Sequence, residues 1–375
     1  MRALVLDAVR ARPEIRDVPE PAAPDSGVVV RVAATGLCRS DWHAWAGHDD
    51  GVAFPHVPGH ELAGVISEVG SGVTLWNVGD RVTVPFVAGC GTCEWCLAGD
   101  AQVCPDQEQP GFTYWGSFAE YVAVHAADTN LVRIPASVDF ATAASLGCRF
   151  ATAYRALVGR ARVVEGEWVT VVGAGGVGLS SVMIARALGA RVIAVDRNAE
   201  ALAVAADLGA EHGILTGPDL SGGPGAAPPP TFVTAVGPEV ERERSGVTNV
   251  ALAVAELTGG GSHVAVDAVG SEQTCADAIL SLRRRGRLAQ VGLLPAIEGH
   301  PRVPMERVIG WELDLLGSHG MAAADYPGMM ALIEQGELEP QRLIERTIGL
   351  DEAAALLPVF DRAKLAGMTI IDPMR

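Results

Sequence analysis

A glycine-rich turn with a strand before it and a helix after it leaves few folds open to a chain. Such a turn is Gly173-Ala174-Gly175-Gly176-Val177-Gly178. The run Glu167-Trp168-Val169-Thr170-Val171-Val172 ahead of it is short, apolar and β-branched, which suits a buried strand. Past the turn, apolar periodicity predicts a helix from Val177 to about Leu188, then a strand Arg191–Val195 ending at Asp196. A lone G-x-G-x-x-G is a weak signal. Strand, helix, second strand and an acid about 20 residues on make it a dinucleotide fingerprint. The glycines allow a tight turn and a close approach of backbone to pyrophosphate, which rests on the helix N-terminus. Asp196 would hydrogen-bond the ribose 2′-hydroxyl and repel a 2′-phosphate, favouring NAD. Arg197 follows it and would welcome that phosphate, so NADP stays as the alternative.

Further α/β units follow. Val264–Val266 reaches Asp267, Leu288–Val291 reaches Gly292, and Leu313–Leu316 reaches Gly317, with helices expected near Asn249–Leu257 and Gln273–Leu282. Residues 217–246 break the pattern with Pro228-Pro229-Pro230, many glycines and alternating Glu and Arg. That composition predicts a mobile surface insertion. The only basic cluster, Arg283-Arg284-Arg285 with Arg287, reads as a solvated helix end.

At 375 residues the chain exceeds one ordinary core, so two domains are expected. From Met1 to about Ser145 the texture is short β-branched strands between turn residues: Val28–Val32, Leu62–Ile66 and Arg81–Val84. The boundaries expected are 1–148 for a mostly β domain, 149–318 for the nucleotide-binding α/β domain, and 319–375 for a return to the first domain. Helices are expected near Tyr326–Glu334 and Asp351–Phe360 in that return, with a last strand at Met368–Ile371. No apolar run is long enough to span a bilayer, and Met1–Asp7 meets a charge too soon for a signal peptide, which predicts a soluble, cytoplasmic protein. A net charge of −17 disfavours nucleic acid as a partner.

Inside the β region, Cys90, Cys93, Cys96 and Cys104 have the spacing C-x2-C-x2-C-x7-C. Four thiolates in one loop can close a tetrahedron around Zn²⁺ and leave no open position for chemistry, so a structural zinc is expected. Disulfides and an iron–sulfur cluster are the other readings of such a run. Three cysteines remain, Cys38, Cys148 and Cys275. Cys275 lies on a predicted helix and suits packing. Cys148 falls where the β domain meets the nucleotide domain, and a cleft there is where cofactor and substrate would meet. With Cys38 and His60 it completes a Cys2His set, a ligand type that catalytic zinc uses. Around these lie Arg39-Ser40-Asp41-Trp42-His43 and Gly59-His60-Glu61. Each has a plainer reading. Ser40 also suits a helix cap, and His43, His48 and His56 suit surface histidines. Trp42, Trp45, Phe54 and Trp115 suit either core or the wall of an apolar substrate pocket.

Through Gly59-His60-Glu61, the four-cysteine loop, the glycine fingerprint and Gly147-Cys148, the chain resembles the zinc-dependent medium-chain dehydrogenase/reductase family, and within it the alcohol dehydrogenases. The resemblance covers nearly the whole length outside 217–246. It implies a two-domain α/β fold, a GroES-like mostly β catalytic domain plus a Rossmann doubly wound parallel sheet. It implies two Zn²⁺ per chain and NAD, with Cys38, His60 and Cys148 on the catalytic zinc and Cys90, Cys93, Cys96 and Cys104 on the structural one. By position, Glu61 matches an acid that approaches the metal transiently, and Asp41 the partner that orients the histidine ligand. Ser40 matches the hydroxyl that takes the alcohol proton, and His43 the histidine that passes it to water by way of the cofactor ribose. Arg39 matches a pyrophosphate contact; Thr152 and Val177 match nicotinamide contacts. Gly173, Gly175, Gly176, Gly178, Asp196 and Arg197 complete the cofactor set. Two positions depart from the family pattern: Met368 follows Gly367 where many members carry an arginine, and Ala201 stands near a frequent lysine.

The expected activity is hydride transfer between a primary or secondary alcohol, or its aldehyde or ketone, and NAD in a homo-oligomer, dimer or tetramer. Polyol, threonine and formaldehyde dehydrogenases share these motifs. A zinc-free quinone or enoyl reductase is opposed by the intact ligand set. A non-catalytic zinc- and nucleotide-binding module would leave Ser40 and His43 without a purpose.

Overall fold

Short β-branched runs between turn residues suit the first part of the chain to a sheet. The computed structural model describes residues 1–217, 232–234 (backbone), 248–294, 299–363 and 367–375. The chain divides into two units, Met1–Ala151 with Gly320–Arg375, and Thr152–His319. In the first unit β1 (Arg2–Val5) pairs antiparallel with β2 (Glu14–Asp17). The larger sheet begins with β3 (Val28–Leu37), β4 (Glu61–Val69), β5 (Arg81–Thr83), β6 (Tyr121–Val124) and β7 (Val132–Arg133). Val28, Val30 and Val32 of β3 meet Leu62, Ile66, Val82, Val122 and Val124 in one buried cluster. Each fully buried Val or Leu contributes about 1.5–3 kcal/mol, so the inward row holds the sheet.

In the second unit the apolar runs are continuous, because helices cover both faces of a parallel sheet. The strands are β8 (Trp168–Val172), β9 (Arg191–Asp196), β10 (His212–Leu215), β11 (Phe232–Thr234), β12 (Ser262–Asp267), β13 (Leu282–Gln290) and β14 (Asp314–Gly317). Their order is β11-β10-β9-β8-β12-β13-β14, every pairing parallel. Leaving β11 aside, this is the 3-2-1-4-5-6 order of a Rossmann sheet, with the switch point between β8 and β12. The helix after the glycine turn spans Gly176–Ala187.

Two expectations change here. Most of the expected insertion, residues 218–231 and 235–247, lies outside the described residues. Its middle, Phe232–Thr234, extends the sheet beside β10. The basic cluster is not a helix end: the helix stops at Leu280, and Arg283, Arg284, Arg285 and Arg287 belong to β13. Arg287 pairs with Glu167 and Arg285 with Glu312, while Arg284 lies over Trp311.

The C-terminal segment returns to the first sheet. β15 (Ile344–Ile348) pairs parallel with β16 (Met368–Ile371), and β16 runs antiparallel to β3, Thr369 opposite Leu37. The sheet order is β15-β16-β3-β4-β5-β7, with β6 also on β3. Among the described residues no helix is long and apolar enough to cross a membrane.

Candidate active site and metal centres

Where β3 ends, the chain turns directly into the helix Arg39–Ala46, and Cys38 is its N-cap. Asp41, at the third helical position, accepts from the Cys38 backbone N–H at 2.8 Å, so a capping interaction fixes the thiol's backbone. The other carboxylate oxygen of Asp41 accepts from Gly59 N–H at 3.2 Å and from His60 Nδ1 at 3.0 Å. Asp41 and His60 are both fully buried. With Nδ1–H given to Asp41, the His60 ring carries its lone pair on Nε2. That atom is buried and has no hydrogen-bond partner. An orphaned acceptor of this kind inside a protein costs about 1–3 kcal/mol unless something binds it.

What surrounds Nε2 is a donor set. Donor atoms of Cys38, His60, Glu61 and Cys148 all lie within 4.8 Å of one another. Cys148 comes from a π-helical turn, Leu146–Phe150, a feature common at functional sites. Gly147 lets that turn close on β4: a Cβ there would stand 3.2 Å from Glu61 Cα and 3.1 Å from the Val84 carbonyl oxygen. Gly147 O also accepts from Phe86 N–H at 2.9 Å. The Cys148 thiol next to it holds Cys38 far below the ordinary thiol range; burial opposes this, and Arg149 and His60 reinforce it. Cys148 is driven the other way by Cys38 and by burial. Burial disfavours a charged His60 while the Asp41 carboxylate favours one, so the ring is a more basic donor than an ordinary imidazole. Two sulfurs, an imidazole with a free lone pair and a fixed partner behind it suit zinc.

Sequence reasoning did not find Arg149. Its Nε donates to Glu61 Oε1 at 3.0 Å and its Nη2 to Oε2, a two-point pair with Glu61 fully buried. Burial lifts the Glu61 carboxyl above its usual range while Arg149 pulls it back. Two donors facing both oxygens make this a two-point, fork-to-fork contact. Phe112 and Phe86 lie with ring centroids 5.2 and 6.2 Å from His60, an apolar wall not singled out beforehand. Tyr326, also missed, is fully buried with an unpartnered hydroxyl, and burial, Cys148 and Glu61 all raise its pKa. A local spacing signal exists for none of these four.

Ser40 is the second residue of the helix rather than its cap, and its Oγ lies 3.8 Å from Cys38 Sγ. His43 is exposed on the same helix, with Nδ1 2.9 Å from His48 Nδ1. Burial, His48 and Arg39 hold His43 below the usual imidazole pKa. His56 is no surface histidine: it is 2% exposed and its Nε2 bonds the Gly111 carbonyl at 2.8 Å. Trp42, Trp45 and Phe54 pack against the core cluster of Leu4, Leu6 and Leu350, while Trp115 is exposed and donates to Pro55 O.

The second metal-ligating group is local. Cys90, Cys93, Cys96 and Cys104 have sulfurs within 4.8 Å of one another. Cys93 Sγ is 3.7 Å from Cys104 Sγ, and Cys90 Sγ 4.0 Å from Cys96 Sγ. Zinc–sulfur bonds of about 2.3 Å give tetrahedral edges of about 3.8 Å, so the four suit one ion. These distances are far above a disulfide's, and all seven cysteines are free. The Thr92 hydroxyl lowers the Cys90 thiol to about 6, whereas burial raises Cys96 to about 12. Trp95 and Leu97 of this lobe are exposed, so it has little core of its own. Asn130 anchors it by bonding Gly89 N–H at 2.8 Å and Gly89 O at 2.9 Å.

The glycine turn is built as a phosphate seat. Gly173 has φ +94, and a Cβ on Gly178 would fall 1.7 Å from Gly173 O, so both are required by the turn itself. A Cβ on Gly175 would meet nothing within 4 Å, although Gly175 caps the Gly176–Ala187 helix without any side-chain cap. The helix's first N–H groups and open space above them fit a pyrophosphate. Asp196 ends β9 with Oδ2 accepting from Ala174 N–H at 2.6 Å and Oδ1 from Asn198 N–H at 2.8 Å. Val177 is half-buried in the first helical turn, Arg197 and Arg39 are exposed, and Thr152 is buried.

The comparisons agree with this geometry. Residues 24–136 match the alcohol dehydrogenase GroES-like domain, and residues 176–221 and 242–335 the zinc-binding dehydrogenase family. An alcohol dehydrogenase of Geobacillus stearothermophilus is 40% identical over 216 residues, 56% of this chain and 62% of that enzyme. The NAD-dependent alcohol dehydrogenase of Sulfurisphaera tokodaii is 30% identical over 386 residues and 100% of both chains. Among solved structures, the alcohol dehydrogenase of Aeropyrum pernix superposes with a TM-score of 0.80 at 30% identity, covering 100% of both chains. The chain belongs to the zinc-dependent medium-chain dehydrogenase/reductase family, among its alcohol dehydrogenase-like members.

Proposed function

We propose that the protein interconverts a primary or secondary alcohol with its aldehyde or ketone, using NAD as hydride acceptor and donor. The observation that carries this reading is the buried, unpartnered Nε2 of His60 facing Cys38 and Cys148, with Asp41 behind the ring. Zinc bound there would supply Lewis acidity toward the alcohol oxygen, and NAD the hydride chemistry. Cys38, His60 and Cys148 hold that metal. Asp41 sets the His60 tautomer and ring plane. Ser40 takes the alcohol proton and His43 passes it toward water. Phe86 and Phe112 exclude water beside His60. The four-cysteine lobe holds a structural zinc.

Gly173, Gly175, Gly176 and Gly178 seat the pyrophosphate, and Asp196 takes the ribose hydroxyls. Arg39, Thr152, Val177 and Arg197 complete the proposed cofactor contacts. The fixed Asp196 carboxylate disfavours a 2′-phosphate, which supports NAD over NADP. A homo-oligomer is supported by β14, which ends the parallel sheet with an open edge and an exposed Leu315; Ile309 and Leu293 are exposed in nearby segments. Free cysteines in both clusters support a reducing cytoplasm.

The test is a panel of linear, branched and polyhydroxy alcohols and their carbonyl products, followed by nicotinamide absorbance with NAD and with NADP. Metal analysis runs alongside. Turnover of simple alcohols with NAD and about two zinc ions per chain support the reading. One zinc per chain and no turnover of any member overturn it.

A further inference from the structure

The donor set holds one group too many for an open zinc site. Three protein ligands leave the fourth position to substrate, whereas four close it. Glu61 lies within 4.8 Å of the other three donors, close enough to complete a tetrahedron. Its carboxylate is instead held by Arg149 through both oxygens, and the Arg149 backbone N–H adds a third bond to Oε1 at 3.3 Å. On the opposite side, Gly36 of β3 stands across from Glu61 in the strand register. A Cβ on Gly36 would fall 2.1 Å from Glu61 Oε2, so the carboxylate occupies the space that a side chain would fill. The glycine makes the seat, the carboxylate fills it and the arginine holds it there.

We propose that Arg149 and Gly36 form a clamp that withholds Glu61 from the catalytic metal and so keeps its fourth position open. This rests on the zinc site under the proposed function. Arg149 is a positioning residue: it acts on the metal only through the carboxylate it restrains. Its fork is suited to the task, because two parallel N–H bonds occupy both carboxylate oxygens, which a lysine's single ammonium does not match.

Cobalt(II)-loaded protein titrated with imidazole tests this without any turnover. The four-cysteine site has no open position, so the imidazole difference spectrum reports the other site alone. Wild type is expected to give a saturable difference band. Arg149→Met frees Glu61 to bind, and imidazole affinity should fall by about tenfold or more, the size of effect that altering a group behind a metal ligand produces. Arg149→Met with Glu61→Gln should restore the band. Gly36→Ala, which evicts the carboxylate from its seat with Arg149 in place, should weaken imidazole as well, and it serves where Arg149→Met does not fold. An unchanged imidazole affinity in folded Arg149→Met or Gly36→Ala overturns the clamp, as does a double variant that stays weak. A wild type that loads two cobalt ions without any imidazole band overturns the clamp alone, whereas one that loads a single cobalt ion overturns the zinc-site reading, and the clamp with it.

Discussion

Cysteines of the same chain do different work according to how far apart their partners lie. Cys93 sits in a lobe whose four ligands fall between residues 90 and 104 and whose apolar side chains face outward. Cys93→Ala should therefore lower thermal stability and release one zinc ion, while residual folded protein keeps measurable turnover. Cys148→Ala should abolish turnover and release the other zinc ion with a far smaller loss of stability, as read by circular dichroism and metal analysis. A fully active Cys148→Ala enzyme would sink the ligand assignment. The His43–His48 contact yields a pH prediction. His43 is held below the usual pKa by burial first and then by His48 and Arg39. Replacing His48, whose electrostatic effect lowers that pKa, lets it rise, so His48→Gln should move the acid limb of alcohol oxidation to higher pH in the pH–rate profile.

Single elements explain what could be read in advance and what could not. The helix Tyr326–Glu334 and the strand Met368–Ile371 occur where their patterns predict, because periodicity is a local property. The four-cysteine spacing and the β8–turn–helix–β9 unit were legible for the same reason. Arg149 pairs with Glu61 across 88 positions of sequence, and neither residue's neighbours advertise it. Arg283 to Arg285 misled because charges after a helical stretch resemble a C-terminal cap, whereas here they lie at the start of β13, in the irregularity between Leu282 and Arg287, the residues that pair with β12. Within the glycine turn, two similar substitutions should part company. Gly178→Ala would place its methyl carbon 1.7 Å from Gly173 O and should unfold the unit, seen as a lost or sharply lowered melting transition. Gly175→Ala meets nothing within 4 Å in the protein. It should leave melting nearly unchanged and weaken NAD by about tenfold, or ~1.4 kcal/mol, measured by nicotinamide fluorescence titration.

For the molecule as a whole, a net charge of −17 makes unassisted self-association unfavourable, so any assembly must rest on apolar contact or strand pairing. The edge of β14 offers both, with Leu315 40% exposed. Leu315→Lys should shift the protein to a smaller species in light scattering while the monomer keeps its secondary structure. An unchanged mass places the interface elsewhere.

The pairing of β16 with β3 has a consequence for how the protein is made. Thr369, Ile370 and Ile371 complete the edge of the strand segment Thr35–Leu37 that delivers Cys38. Those first residues leave the ribosome early, and their last partners are synthesised more than 300 residues later. In the interval the strand edge beside Cys38 stays unpaired, while the residues of the parallel sheet are already all made. Cys38, the proposed zinc ligand nearest the N-terminus, is thus seated by the end of the chain, and the nascent protein is expected to be most prone to aggregation during the stretch before that end arrives.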